Sequence, residues 1–431
     1  MGAIGSLLQD TFLPNMALVE QHFDDTHLEK DEIPSLIVSG LDANAVSQRI
    51  QPGMRIAITA GSRGISNIAL ILRAVVDYVK AKGAVPFIVP AMGSHGGATA
   101  EGQKSVIAAF GITEETMGCE ICSSMETVVL GPAENGKPVY CDRYASEADG
   151  ILVIGRVKAH TAFRGPYESG ICKMMCIGLG KQKGAAMLHA DGFGLMKEEV
   201  PMFARVFLEK APILGGIAIL ENAYDQTREL VVLDRDEIME KEPALLLRAK
   251  TYLPSIPFDP VDVLVIDQMG KNISGDGMDP NITGRFPTPF ADGGVTAQRV
   301  AVLDLTDETH GNAAGMGLAD VTCRRLYDKI DFEQTYPNSI TNTVTEVAKI
   351  PMVLYNDRQA IQMALKSCNF IDRKLPRVVR IVNTMELRYM WISEGLLPLA
   401  EENPRVTVLS RPAPISFDAD GNLTDLNHIR P

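Results

Sequence analysis

The chain is short of the residues that a disulfide scaffold, a nucleic-acid binder or a membrane protein depends on. Its 431 residues hold 7 cysteines, an odd and sparse count that describes reduced thiols rather than a disulfide framework. Cys119 and Cys122 form a C-x-x-C with no second pair at zinc-ribbon spacing, and read as ordinary thiols. Cys172 and Cys176 stand four apart and read as packing residues on one helix face. Basic residues are also scarce: 41 Lys and Arg against 54 Asp and Glu leave a formal charge of -13. Without a basic footprint, nucleic acid and anionic membrane surfaces are poor partners, which leaves small molecules. No apolar run reaches the roughly 18 to 20 residues that span a bilayer, and MGAIGSLLQDTFLPNM lacks the basic start of a signal peptide. A cytoplasmic location is expected. No short-period repeat, P-loop or G-x-S-x-G is present, and GLGKQKG departs from G-x-G-x-x-G and follows a helix-like stretch. Solenoids, P-loop phosphoryl transfer, serine hydrolysis and a freely exchanging NAD all lose their usual support.

What is present is an α/β pattern. RIAIT reads as a buried strand, and NIALILRAVVDYVKAKG then repeats apolar residues at Ile68, Ile71, Val75, Tyr78 and Val79, a helical period closed by Gly83. VPFIVP and a helix ending near Gly111 start the next unit, ILVIG repeats the pattern, and GGIAILENA followed by TRELVVLD repeats it more loosely. A helix over Glu237 to Lys250 runs into YLPSIPFDP, whose prolines mark a domain boundary. Beyond it, VDVLVIDQ and RVAVLDL read as strands, helices are expected to start near Asp320, Ile340 and Asp357, and RVVRIVN and VTVLS close the region as strands. The expectation is two α/β domains, 1–258 and 259–410, with the active site in the cleft between them and a tail, 411–431, crossing back to the first domain.

In open α/β sheets ligands bind beyond the carboxyl ends of the strands, and four loops leaving strands carry reactive side chains. They are GSRG with Arg63, GSHGG with His95, the segment from His160 through Lys173 to His189, and DQMGK with Gln268 and Lys271. Arg63 stands where a guanidinium and backbone N–H groups could hold a carboxylate or phosphate, against the bland alternative of a surface ion pair. His95 is flanked by Ser94, Gly96 and Gly97, a setting that suits close approach to a ligand better than a core. Lys173 lies among apolar residues, where a lysine is costly unless paired or covalently used. Lys158, Lys181 and Lys183 read as surface charge, His310 is a reserve candidate in a Gly-rich loop, and His22, His27 and His428 read as surface residues.

Taken in order, the Arg63 loop, GSHGG, the H-(x)12-K-(x)15-H run of His160, Lys173 and His189, and the Q-x-x-K of Gln268 and Lys271 resemble the lactate racemase family over roughly residues 15 to 400. The resemblance implies a racemase or epimerase that inverts C2 of a 2-hydroxy acid by proton-coupled hydride transfer to a nickel-pincer nucleotide. On that analogy Lys173 carries the cofactor as a thioamide, with Ser62 as a further cofactor contact. His189 supplies the protein ligand to nickel, His95 and His160 are the paired acid/base groups, and Arg63, Gln268 and Lys271 hold the substrate. Two opposed bases are required because the hydroxyl of each enantiomer lies in a different place, and histidine titrates near neutrality. The resemblance also implies maturation enzymes that make the cofactor as partners, and it leaves the oligomeric state open. The chain departs from the family at Ala60, where an acidic residue stands three positions before the arginine, and in a longer loop from His160 to Lys173. Arg164 and Arg285 are candidates for a second acidic group on the substrate, against surface charge. The residues themselves leave two other readings open: a zinc-dependent hydrolase or lyase using His95, His160 and His189, and a non-catalytic cofactor-binding relative.

Overall fold

The computed structural model describes residues 2–431. The chain forms two compact units, Asp24–Leu253 and a second made of Met1–Phe23 with Pro254–Pro431. Each is built on a mainly parallel sheet with helices, as the sequence predicts.

In the Asp24–Leu253 unit six strands lie in the order Glu120–Ile121, Val85–Pro90, Arg55–Ala60, Gly150–Arg156, Ile213–Glu221, Thr227–Asp234. The first five run parallel and the last is antiparallel. Strands covered on both faces read as unbroken apolar runs, which is why GILVIGR is buried almost throughout. The helix Ile68–Ala81 buries the predicted residues Ile68, Ile71, Val75, Tyr78 and Val79, and Gly83 leaves it at φ 76°. At about 1.5 to 3 kcal/mol for each fully buried large aliphatic side chain, this face is what holds the helix on the sheet. The loosely read repeat at GGIAILENA differs from the βαβ reading. Its two strands form an antiparallel hairpin, because a turn over Asn222–Gln226 is too short for a parallel crossover.

The other unit holds eight strands in the order Met352–Leu354, Val321–Cys323, Ala297–Leu305, Val261–Met269, Val378–Ile381, Tyr389–Ser393, Met16–Gln21, Val406–Val408. The first five run parallel, and the last three join antiparallel. Here the domain reading 1–258, 259–410, 411–431 is corrected in three places. Met16–Gln21 pairs with Tyr389–Ser393 and Val406–Val408, so the first 23 residues belong with the later part of the chain; strand pairing takes no account of sequence distance. The boundary falls at Leu253 and Pro254, inside the proline-rich segment but ahead of residue 258. The tail stays with this unit: Asp425 pairs with Arg380, the Leu423 amide donates to Asp357, and Ile415, Phe417 and Leu426 pack on its core. Two helix expectations also shift. Asp320 leads into the strand Val321–Cys323, and Ile340 lies within the helix Phe332–Asn342 rather than at its start.

Candidate functional site

Numbered along the chain, the strands of the Asp24–Leu253 sheet run 3-2-1-4-5-6, so the order reverses between Arg55–Ala60 and Gly150–Arg156. Such a reversal opens a crevice at the carboxyl ends, because consecutive connections leave to opposite sides. The backbone pairing of these two strands stops at Ile58 and Leu152. Beyond it the Thr59 hydroxyl takes over, accepting from the Ile154 amide at 2.8 Å. Arg63 follows one strand of the reversal, His160 the other, and His95 follows the adjacent Val85–Pro90. Three sequence-predicted residues therefore leave one edge of one sheet.

Arg63 and His95 are exposed, and Ser62 is half-buried. Gly93, Gly96 and Gly97 around His95 hold φ of 61°, 68° and 64°, a conformation that side chains rarely adopt. A Cβ at Gly96 would meet the Gly102 and Gln103 backbone at 2.6 Å, so the loop turns sharply against the following helix, Ala100–Ala108.

His160 is held from several directions. Its amide donates to the buried Glu168 carboxylate at 2.8 Å, which also accepts from the Gly165 amide and from Lys250 Nζ at 2.6 Å. Arg164 donates to the His160 carbonyl at 2.6 Å. The ring lies 4.5 Å from the Phe163 ring and 6.0 Å from Phe193, which meets the His189 ring edge-on at 5.3 Å. Burial, then the charges of Lys173, His189, Arg164 and Arg63, hold the His160 pKa well below the usual histidine range. Burial lowers His189 as well, partly offset by its bond to the Ala185 carbonyl.

The two half-buried histidines present opposite tautomers. The Ala162 amide can only donate, so at 3.0 Å it requires a lone pair on His160 Nδ1 and, in the neutral ring, a proton on Nε2. The Ala185 carbonyl can only accept, so at 2.6 Å it requires a proton on His189 Nδ1, leaving the Nε2 lone pair available. That is the arrangement of a metal-ligating histidine oriented by a carbonyl behind it.

Lys173 and His189 are sixteen residues apart, which on a straight helix is about 24 Å. The segment is instead broken. A turn at Ile171–Lys173 passes into a π-helix, Met174–Leu179, and a new helix, Lys181–His189, starts at Lys181 with φ 53°. Buried Glu242 caps the start, accepting from the Cys172 amide at 3.0 Å, and burial raises its pKa to about 7. Lys173 is half-buried between the buried Cys172 and Met175.

Several residues that the sequence reading passed over matter here. Lys181, read as surface charge, is fully buried. Glu168, Glu242 and Phe193 carried no pattern that marks them in a single sequence, since each matters only through the contacts that folding gives it. Arg164 and Arg285 turn out to be engaged within the protein. Arg164 holds the His160 loop, and Arg285 binds Asp320 at 2.8 Å and the carbonyls of Ala297 and Gln298. Gln268 and Lys271 belong to the other unit, Gln268 at the end of Val261–Met269 and Lys271 with Nζ donating to the Gly275 carbonyl. His310 is exposed in that unit, and His22, His27 and His428 are exposed as expected. Among the described residues no three His, Cys, Asp or Glu side chains are placed to hold a metal ion, so the zinc reading with His95, His160 and His189 as ligands is not supported. All seven cysteines are free. No helix among the described residues is long and apolar enough to cross a membrane.

Comparison with known proteins bears first on the fold. The fold is similar to that of the lactate racemase apoprotein from Thermoanaerobacterium thermosaccharolyticum, at 11% identity and a TM-score of 0.52, over 86% of this chain and 99% of that one. A Thermotoga maritima protein of solved crystal structure is similar at 12% identity and a TM-score of 0.49, over 76% and 83% of the two chains. No curated protein matches the chain. A family model for the lactate racemase N-terminal domain matches residues 12–198 of the chain. Arg63, His95, His160, Lys173 and His189 all lie inside the matched residues.

Proposed function

We propose that this protein is a racemase or epimerase acting at C2 of a 2-hydroxy acid, with a nickel-pincer nucleotide carried on Lys173. The observation that carries the reading is the His189 ring, whose Nδ1 is committed to the Ala185 carbonyl and whose Nε2 is left as a donor for one metal bond. A metal whose other ligands come from a cofactor needs only one protein ligand. The residues present fit that demand. When bound, such a cofactor supplies a carbon that accepts and returns hydride.

The chain's own groups do the rest. Lys173 would hold the cofactor through its amine and Ser62 would contact it. Arg63 would bind the substrate carboxylate in bidentate fashion. His95 and His160 would exchange the hydroxyl proton of the two enantiomers. In the tautomer that the Ala162 amide implies, His160 offers an Nε2 proton to an oxygen, the form suited to a bound keto acid. Taking a proton at Nε2 requires the other tautomer and costs the Ala162 amide its acceptor. The Phe163 and Phe193 rings line that position, and with a ligand seated they would shield it from water and strengthen the charge interactions in it. The free thiols fit a cytoplasmic enzyme working alongside the cofactor's maturation enzymes.

Protein made in a host that matures the cofactor should show a mass increase and about one nickel per chain, both lost in Lys173→Ala. It should also erase the optical rotation of a single enantiomer. Activity in protein that carries neither adduct nor nickel refutes the reading, and a loaded protein inert towards every 2-hydroxy acid makes it a non-catalytic relative.

A further inference from the structure

One charged side chain takes no part in the scheme above. Lys181 is fully buried, and burial lowers its pKa. Its backbone is in the left-handed region at φ 53°, which costs a non-glycine residue about 1–2 kcal/mol. The strain turns the side chain inward. There the ammonium donates to the Pro90 carbonyl and to Gln103 Oε1 at 3.0 Å, and forms an ion pair with Asp142 Oδ2 at 3.2 Å. Asp142 is itself fully buried and spends its other oxygen on the Ala145 amide at 2.9 Å.

Each acceptor belongs to a different part of the site. Pro90 ends the strand that leads to the His95 loop. Gln103, also fully buried, donates to the Gly93 carbonyl at 2.9 Å and to the His95 carbonyl at 3.3 Å, so Lys181 reaches the His95 backbone through one side chain. Lys181 itself is the joint between the π-helix after Lys173 and the helix that ends at His189. The two layers touch there without room to spare. The Gly93 amide donates to the Gly178 carbonyl at 3.3 Å, and a Cβ at Gly178 would stand 2.9 Å from the Ala91 carbonyl oxygen.

A buried ion pair is a poor way to gain stability, since apolar residues of similar size serve as well or better. What it provides is direction. We propose that Lys181 is a positioning residue, a buried peg that fixes the His95 loop against the joint between Lys173 and His189. It sets where three separately encoded residues stand relative to one another.

The test uses the full-length chain with isotope-labelled histidine. Lys181→Met with Asp142→Asn removes the pair without leaving a lone buried charge and keeps an acceptor for the Ala145 amide. It should still melt cooperatively, while the ring signals of His95 and His189 shift and those of His22, His27 and His428 stay. Gln103→Met keeps the ion pair and should move His95 alone, which decides the matter even where the double variant does not fold. Unmoved His95 in Gln103→Met, or unmoved His95 and His189 in a folded double variant, overturns the assignment, as does an equal shift of every histidine. In cofactor-loaded protein the double variant should lose about 10- to 100-fold in kcat, with KM little changed. That last measurement rests on the racemase reading and the spectra do not, so the two failures are separable.

Discussion

The half-buried and exposed parts of the site are built on different terms. On the half-buried side, the His160 amide and Nδ1 are fixed by Glu168 and Ala162, His189 Nδ1 by the Ala185 carbonyl, and both rings by contact with Phe193, His160 also with Phe163. Arg63 and His95 at the edge are exposed and sit in glycine-rich loops. On the proposed reading the half-buried side is preorganised, with its donors set before any ligand arrives, and the exposed edge would be where a ligand from water is first met. Preorganised groups contribute more to a barrier because nothing has to reorient during reaction.

This contrast can be broken by substitution. The largest effects belong to the two histidines: His160→Gln and His95→Gln should each lower turnover by about 10² to 10⁴, the range for a lost general acid or base. Under the two-base scheme both directions of racemisation fall, since each direction uses both residues. Only His160→Gln should also change the melting temperature, and equal thermal shifts for the two variants would remove the distinction between half-buried side and edge.

Next is Glu242, the buried cap ahead of Lys173. Its folded pKa is raised from 4.5 to about 7, so between those values the unfolded chain releases a proton that the folded chain keeps. The stability it contributes is complete below about 4.5 and is lost as pH rises through 7, amounting to roughly 3 kcal/mol at about 1.4 kcal/mol per pKa unit. Glu242→Gln never ionises, so its stability relative to the parent should rise from pH 5 to pH 8 in denaturant melts; a flat difference refutes the assignment. His160 and His189 act with the opposite sign, because their lowered pKa values cost stability as pH falls below about 6.5, and they do so equally in both proteins.

The smallest expected effect is at Glu168. Glu168→Gln weakens the contacts to Lys250 and to the His160 amide, and should cost about 1–3 kcal/mol with a drop in kcat but little change in KM. A change in KM alone would mean that the His160 loop holds substrate rather than a catalytic ring.

Much of the fold was legible because apolar runs and helical periods are local. RIAIT, VPFIVP, ILVIG and the Ile68 helix all stand where their patterns place them. The misreadings were of partnership. Nothing in MALVEQ says that it pairs with Tyr389–Ser393, and nothing in GGIAILENA says that its neighbour runs back antiparallel. Lys181 was misread for a related reason, since a lysine between exposed Gln182 and the GLG turn looks solvated until Asp142, Gln103 and Pro90 are seen around it.

By itself, then, the sequence determined the α/β class and the order of the reactive loops, because hydrophobic period and glycine placement act over a few residues. Only the tertiary structure decided which strand edge those loops share, which nitrogen of each histidine carries the proton, and which lysine is buried. The strand edge and the buried lysine are set by partners tens of residues away and the tautomers by near neighbours whose direction only the folded backbone fixes, and a buried polar group takes its state from whatever satisfies it.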